Sequence, residues 1–271
     1  MHALVTHPAI QAALAPFLVA LLTAEVLQRL RLSGLAIVAG FAITVFLAGS
    51  FAFTPLTDSR KIIWLCLASG LLAIPLGLFN GALWRPVLTV LAAASAVWVA
   101  QRVLLLQPTA LALQWGTGCA LYVGWLVFWM DSLHESPIRA GSAGLALGLG
   151  SGATLLIAGA ALLGKYDLAI GSAAAAFLFI MFVSNSYLPC GRTLTLPIAL
   201  VAGLSSCLAV FTVKLAWYAL APLALIPLAA KLPVSEKSSA WVQITLLSAL
   251  TMLCALGAAY LSWQHNGWAA F

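Results

Sequence analysis

The sequence predicts an all-α, polytopic transmembrane helical bundle, and three observations support this fold class. Hydrophobic residues make up 64% of the 271 positions, and charged residues only 7%. Apolar runs such as 32–53 and 239–263 exceed the roughly 20 residues that cross a bilayer core. The polar connectors are short, and the longest runs from Asp131 to Pro137. We therefore expect one integral membrane domain over residues 1–271, without a separate soluble domain.

Run lengths predict about ten membrane spans, with nine as the alternative. The spans are Pro8–Leu30, Leu32–Phe53, Lys61–Phe79, Ala82–Gln101, Thr109–Met130, Arg139–Gly164, Leu168–Asn185, Leu194–Val213, Leu215–Ala230 and Ser239–Trp263. Residues 194–231 are one apolar stretch that only Lys214 interrupts, and Pro222 and Pro227 disturb its second part. The ninth segment is therefore either a short, bent span or a segment that enters and returns without crossing.

The ends of the spans indicate how the chain lies in the membrane. Residues 1–7 contain no Lys or Arg, and the first apolar run is longer than the roughly 7–15 residues of a signal-peptide core, which favours a retained first span. With ten spans, the twelve Lys and Arg divide seven to five between the two sides. The positive-inside rule then favours both termini on the non-cytoplasmic side. We expect a multi-pass protein of a bacterial-type inner or plasma membrane.

A faint internal repeat divides the chain into halves 1–133 and 134–271. At an offset of 133 residues, Leu-Ala-Ile at 35–37 falls on Leu-Ala-Ile at 168–170. Five spans in each half would make the halves inverted in the membrane, an arrangement common among secondary transporters. Ten spans in two such halves resemble the architecture of drug/metabolite-type transporters in size and repeat. This resemblance implies transport of a small molecule.

The distribution of charged and metal-binding side chains excludes several function classes. The net charge is +6, but the Lys and Arg lie singly near span ends, which suits anionic lipid headgroups and not nucleic acid. The four histidines lie at the termini or in a connector, which excludes a haem held by two histidines. The five cysteines have no CxxC spacing and are expected to be apolar filler. No cofactor or metal is expected, and the expected partners are membrane lipids, with other membrane subunits or a homo-oligomer as alternatives.

Three polar residues in or beside the spans are candidates for a substrate path, because polar groups are costly in hydrocarbon. Glu25 lies four residues before Arg29 and either pairs with it or serves as a substrate or proton carboxylate. Gln114, in the fifth span, is expected to face the bundle interior and to form interhelical hydrogen bonds. Lys214 either extends from a tight turn to the interface or finds a partner in a cavity.

Glycines recur every four residues in the sixth span, at Gly144, Gly148 and Gly152. They lie inside a span, so they do not form the glycine-rich turn between strand and helix that binds dinucleotides. Small residues at this spacing let a second helix approach closely. We expect packing against another helix, with a substrate passage along the flat glycine face as the alternative.

Asp131, His134 and Glu135 form a cluster just after the fifth span, close to Arg139. The cluster is either a solvated connector or the interfacial site of a lipid-modifying enzyme. A nucleophile–base pair would need a Ser or Cys side chain beside the His134 ring.

Three functions remain compatible with the sequence. A small-molecule transporter or permease is favoured by the possible inverted repeat and the few polar groups within spans. A non-catalytic accessory or structural subunit of a larger membrane complex is favoured by the scarcity of charge and by the glycine face. A lipid-modifying membrane enzyme is the least favoured, so an enzyme is expected less than a non-enzyme.

Overall fold

The computed structural model describes residues 7–51, 54–77, 83–234 and 238–266. These residues form helices and no β-strand. In chain order the helices are α1 Ile10–Leu30, α2 Ser33–Leu47, α3 Asp58–Leu76, α4 Trp84–Leu104, α5 Thr109–Asp131, α6 Pro137–Ile157, α7 Ala161–Ser184, α8 Arg192–Thr212, α9 Trp217–Ala229 and α10 Ala240–Asn266. Eight of them are long and apolar enough to cross a membrane, and α2 and α9 are shorter. The predicted all-helical, multi-pass membrane bundle is confirmed at this level.

The boundary between the sixth and seventh predicted spans needs correction. The sequence placed a connector around Lys165, between Gly164 and Leu168. In the structure the break comes earlier, because Gly159 adopts the left-handed backbone conformation, with φ of 91°, that ends α6. Lys165 and Asp167 therefore lie inside α7. The predicted span ends Phe53, Phe79 and Ala82 lie outside the described residues.

The long apolar stretch at 194–231 forms two separate helices. Lys214 has a positive φ of 57°, and a short 3₁₀ turn at Trp217–Ala219 starts α9. Pro227 lies within α9, close to its end, and its missing N–H removes the helix hydrogen bond to the carbonyl oxygen of Leu223. The chain thus reverses at Lys214, as a tight turn requires.

Helix α8 forms the centre of the bundle. It packs against α3, α5, α6 and α7. Of its most apolar stretch of 18 residues, 94% is buried. Helices α6 and α7 are 72% and 67% buried, whereas only 28% is buried in each of α1, α4 and α10. The outer helices expose large apolar side chains such as Leu22, Val26 and Leu253. Such faces are stable only against lipid, which agrees with the membrane assignment.

Successive helices run in opposite directions, so the connectors gather at two ends of the bundle. We call one the arginine end, because it carries Arg31, Arg85, Arg139 and Arg192. There the Ser33 hydroxyl donates to the carbonyl oxygen of Pro189, and connector 132–136 meets connector 185–191. The other is the terminal end, where α1 begins and α10 finishes.

Candidate functional site

The most unusual residue inside the bundle is Asp167 of α7. Its side chain is completely buried, although it lies only six residues after the start of the helix, about 9 Å along the axis at 1.5 Å per residue. The four ion pairs among the described residues do not include it. A carboxyl group at this depth, without a cation, marks a functional site by default.

Ser205 of α8 holds the Asp167 carboxyl group. The Ser205 hydroxyl oxygen lies 2.7 Å from Oδ1 and 2.8 Å from Oδ2 of Asp167. The same hydroxyl oxygen lies 2.7 Å from the carbonyl oxygen of Val201, one turn earlier in α8. The hydroxyl group therefore has three close oxygen neighbours and a single proton to donate.

A neutral carboxylic acid satisfies these contacts better than a carboxylate does. If Asp167 carries the proton, it donates to the Ser205 oxygen, and Ser205 donates to Val201. If Asp167 is ionised, the single Ser205 proton leaves two of the three close oxygen pairs without a hydrogen, whereas the neutral acid leaves one. Burial away from water also disfavours the charged form of the carboxyl group and acts in the same direction.

Further hydroxyl groups lie close to this pair. Ser151 of α6 faces the Asp167 carboxyl group, and its hydroxyl donates to the carbonyl oxygen of Leu147. Tyr122 of α5 lies against Ser206, in the electrostatic range of Asp167. The Tyr122 and Ser206 hydroxyl oxygens are buried, and neither reaches a hydrogen-bond partner by distance and angle. An ordered water is one explanation for a buried hydroxyl group without a protein partner.

The glycines of α6 let the backbones of α6 and α7 approach closely beside Asp167. A Cβ atom added to Gly148 would lie 2.4 Å from the backbone nitrogen of Gly171 and 2.9 Å from the carbonyl oxygen of Asp167. At Gly152 the added atom would lie 2.8 Å from Leu168, and at Gly144 2.5 Å from a flexible Ile198 side chain of α8. The three glycines therefore face neighbouring helices and not a passage.

The structure does not bring the three substrate-path candidates together. Glu25 is exposed near the arginine end, where it accepts a hydrogen bond from Gln28 and forms no ion pair with Arg29 among the described residues. Lys214 is exposed in the turn after α8, near the terminal end. These positions remove the residue-level support that the three residues gave to transport.

Gln114 also departs from its expected orientation. It is exposed on α5 and lines a shallow groove of about 390 Å³ with Trp115 and Trp217. The expectation that it faces the bundle interior is corrected. Spans in lipid are apolar on every side, so sequence alone does not tell which side of α5 faces the protein.

The interfacial cluster after α5 is organised by Arg192, which the sequence did not single out. Arg192 Nε donates to Asp131 Oδ1 at 2.9 Å, and Arg192 Nη1 donates to the carbonyl oxygen of Leu76. Both side chains of the pair are almost completely buried. Arg139 instead donates to the carbonyl oxygens of Ala230 and Leu232. Asp131 is therefore an internal counter-charge and not part of a solvated connector.

No nucleophile–base pair occurs around His134 in the part of the chain that the structure describes. Nδ1 of His134 contacts the carbonyl oxygen of Asp131, and Nε2 lies 3.7 Å from the exposed Glu135 carboxylate. The thiol of Cys190 donates to the backbone oxygen of His134 and not to its ring. Burial raises the pKa of the Cys190 thiol to about 12, so this cysteine is a poor nucleophile.

The sequence contained one signal that could have located Asp167. Gly159 is followed by an apolar run that continues to Ser184, on both sides of residues 165–167. Ending the sixth helix at Gly159 would have moved Asp167 into a span. Its partner Ser205 lies 38 residues away, a distance that only the tertiary structure closes.

Comparison with protein-family models, curated proteins and solved structures finds no match to this chain. The fold defines it as a multi-pass helical membrane protein.

Proposed function

We propose that this protein is a membrane permease for a small solute and that Asp167 binds and releases a proton during transport. The burial of Asp167 without a cationic partner carries this proposal. A carboxyl group placed there lowers stability unless it is protonated or transiently hydrated, so it is retained for a function. Asp167 lies between α6, α7 and α8, so a change in the packing of these helices would change the surroundings of its carboxyl group.

The proposal includes ten membrane crossings. Helix α1 finishes at the arginine end and α3 begins at the terminal end, so α2 returns between them. Its 15 residues extend about 22 Å at 1.5 Å per residue, which is short of the roughly 30 Å hydrocarbon core. The same argument applies to α9 between α8 and α10. Local thinning of the bilayer compensates for such short helices at modest cost.

An inverted repeat belongs to the same proposal. A two-fold axis in the membrane plane would exchange α2 with α7 and α3 with α8. Both of these helix pairs are in contact. Contacts α1–α2 and α6–α7 correspond, as do α4–α5 and α9–α10. However, α10 packs extensively on α6 without a comparable contact of α5 on α1 among the described residues. Halves that differ in this way fit a transporter that is open to one side at a time.

A proton-flux measurement tests the proposed function. Sealed membrane vesicles that contain the protein enclose a pH-sensitive dye, and small solutes are added outside: amino acids, sugars, organic cations and organic anions. The variant Asp167→Asn has the same shape but cannot ionise, and Glu135→Gln is the control because Glu135 is an exposed carboxylate.

We expect at least one solute to move protons in wild-type and Glu135→Gln vesicles, and not in Asp167→Asn vesicles at equal protein abundance. If wild type and Asp167→Asn behave alike for every solute, proton-coupled transport through Asp167 is contradicted.

A non-catalytic subunit of a larger membrane complex is the second candidate. The observation that favours it is the position of the cavities, since none of the four described grooves includes Asp167. Purification from the native membrane in mild detergent distinguishes the two. A permease runs alone or as a homo-oligomer, whereas a subunit runs with other chains in fixed stoichiometry.

A further inference from the structure

A cluster of two cations and a tryptophan lies at the arginine end, away from Asp167. It comprises Arg85 in the first turn of α4, Trp129 near the end of α5 and Lys231 just after α9. We infer that Arg85, Lys231 and Trp129 form a binding site for a phosphate group, supplied by the headgroup of an anionic phospholipid. This inference does not depend on the proposed transport function.

The cluster carries a surplus of positive charge. Asp131 is the carboxylate of the cluster, and Arg192 already holds its Oδ1 at 2.9 Å. Arg85 Nε lies 3.6 Å from Asp131 Oδ2, which is too long for a charge-assisted hydrogen bond. Arg85 and Arg192 therefore share one carboxylate, and Lys231 adds a cation without a carboxylate of its own, so this cluster has a surplus of two positive charges.

The guanidinium group of Arg85 lacks hydrogen-bond partners in the part of the chain that the structure describes. It lies 5.4 Å over the ring of Phe128. The side chain is 37% exposed, so a ligand can reach it.

Lys231 lies over the Trp129 ring and within the electrostatic range of Arg85. Its ammonium group lies 4.4 Å from the centre of the Trp129 ring. Desolvation lowers the pKa of Lys231, and the positive charge of Arg85 lowers it further. An anion bound beside Lys231 would offset both effects and favour the charged form of the lysine.

Trp129 contributes an unsatisfied hydrogen-bond donor to the cluster. Its indole N–H is buried and has no hydrogen-bond partner in the described part of the chain. A buried donor without a partner costs about 1–3 kcal/mol. A phosphate oxygen that reached this N–H would relieve the cost of the missing hydrogen bond.

The level of the cluster identifies the source of the phosphate group. Arg85 begins α4, Trp129 lies two residues before the end of α5, and Lys231 follows α9. All three thus stand at the membrane boundary, where lipid headgroups are concentrated. Basic pockets between helices at this level are typical binding sites for anionic lipid headgroups.

A thermal-stability measurement on the full-length protein in mild detergent tests the site. The probes are phosphatidylglycerol, phosphatidylcholine and inorganic phosphate, each titrated separately. The variants are Arg85→Gln, Lys231→Gln and the double variant. The matched controls are Arg102→Gln, an exposed arginine at the other end of α4, and Lys214→Gln, an exposed lysine at the terminal end.

We expect phosphatidylglycerol to stabilise wild type and both controls, with an apparent affinity that falls about fivefold for each cation removed from the site. Lys231 takes no part in the Asp131 ion pairs, so Lys231→Gln reports on the site even if Arg85→Gln folds poorly. Protection by inorganic phosphate as well would retain the phosphate site and assign it to a soluble ligand. Equal protection of wild type and the Lys231→Gln variant, or equal protection by phosphatidylcholine, would overturn the inference.

Discussion

The contact between α6 and α7 leads to a sharp prediction for Gly148→Ala. The added Cβ atom would lie 2.4 Å from the backbone nitrogen and 2.5 Å from the Cα atom of Gly171. Backbone atoms cannot rotate aside as a side chain can, so the two helices must separate. Gly257 in α10 provides the control, because its added Cβ atom would lie 3.8 Å from the nearest atom, in Pro222.

The magnitude follows from two opposing effects. Alanine is favoured over glycine inside a helix by about 0.8–1.0 kcal/mol, and this gain applies at both sites. Overpacking costs typically about 1–3 kcal/mol, and this cost applies only at Gly148. We therefore expect Gly148→Ala to be less stable than Gly257→Ala by about 1–3 kcal/mol.

The assay heats detergent-solubilised protein and measures the monodisperse fraction by size-exclusion chromatography. At about 2–4 °C per kcal/mol, the midpoint of Gly148→Ala should fall below that of Gly257→Ala by about 2–12 °C. Gly148→Leu should be worse, because a larger side chain must fit into the same gap. Equal midpoints for both alanine variants would refute the close approach of α6 and α7.

Two further predictions concern the arginine end. Asp131→Asn leaves Arg192 buried without its counter-charge and should cost about 3–5 kcal/mol, measured as a lower heating midpoint, whereas Glu135→Gln should change it little because Glu135 is exposed. With the other cysteines removed, Cys190 should react very slowly with maleimide at pH 8, because a pKa of about 12 leaves about one thiol in 10⁴ ionised. Its reactivity should rise about tenfold for each pH unit above 8 and level off only near that pKa. Rapid labelling of the folded protein at pH 8 would show that the thiol is not buried.

Lipid as solvent explains which features of the fold the sequence reveals. A span must be long and apolar to cross the hydrocarbon core, so run lengths locate most helices. They do not locate a break between two adjacent apolar helices, and the left-handed conformation of Gly159 was therefore missed. They also do not reveal which face of a helix is buried, as the exposed position of Gln114 demonstrates.

The candidate site depends on contacts that no local pattern contains. Asp167 was hidden by the misplaced boundary, although its carboxyl group is an obvious candidate once it lies inside a span. In the sequence, Ser205 is one of several serines within spans, and Arg192 is one of several arginines near span ends. They become important only because folding brings them to Asp167 and to Asp131, across 38 and 61 residues.

Infrared spectroscopy tests the role of Asp167 most directly. A protonated carboxylic acid has a carbonyl stretching band that a carboxylate lacks, and the difference between wild type and Asp167→Asn isolates this one group. We expect wild type in lipid at neutral pH to show the band of a buried, hydrogen-bonded acid, Ser205→Ala to shift this band, and Asp167→Asn to abolish it. A difference spectrum that contains only carboxylate bands at neutral pH would contradict a proton on Asp167 and with it the proposed mechanism.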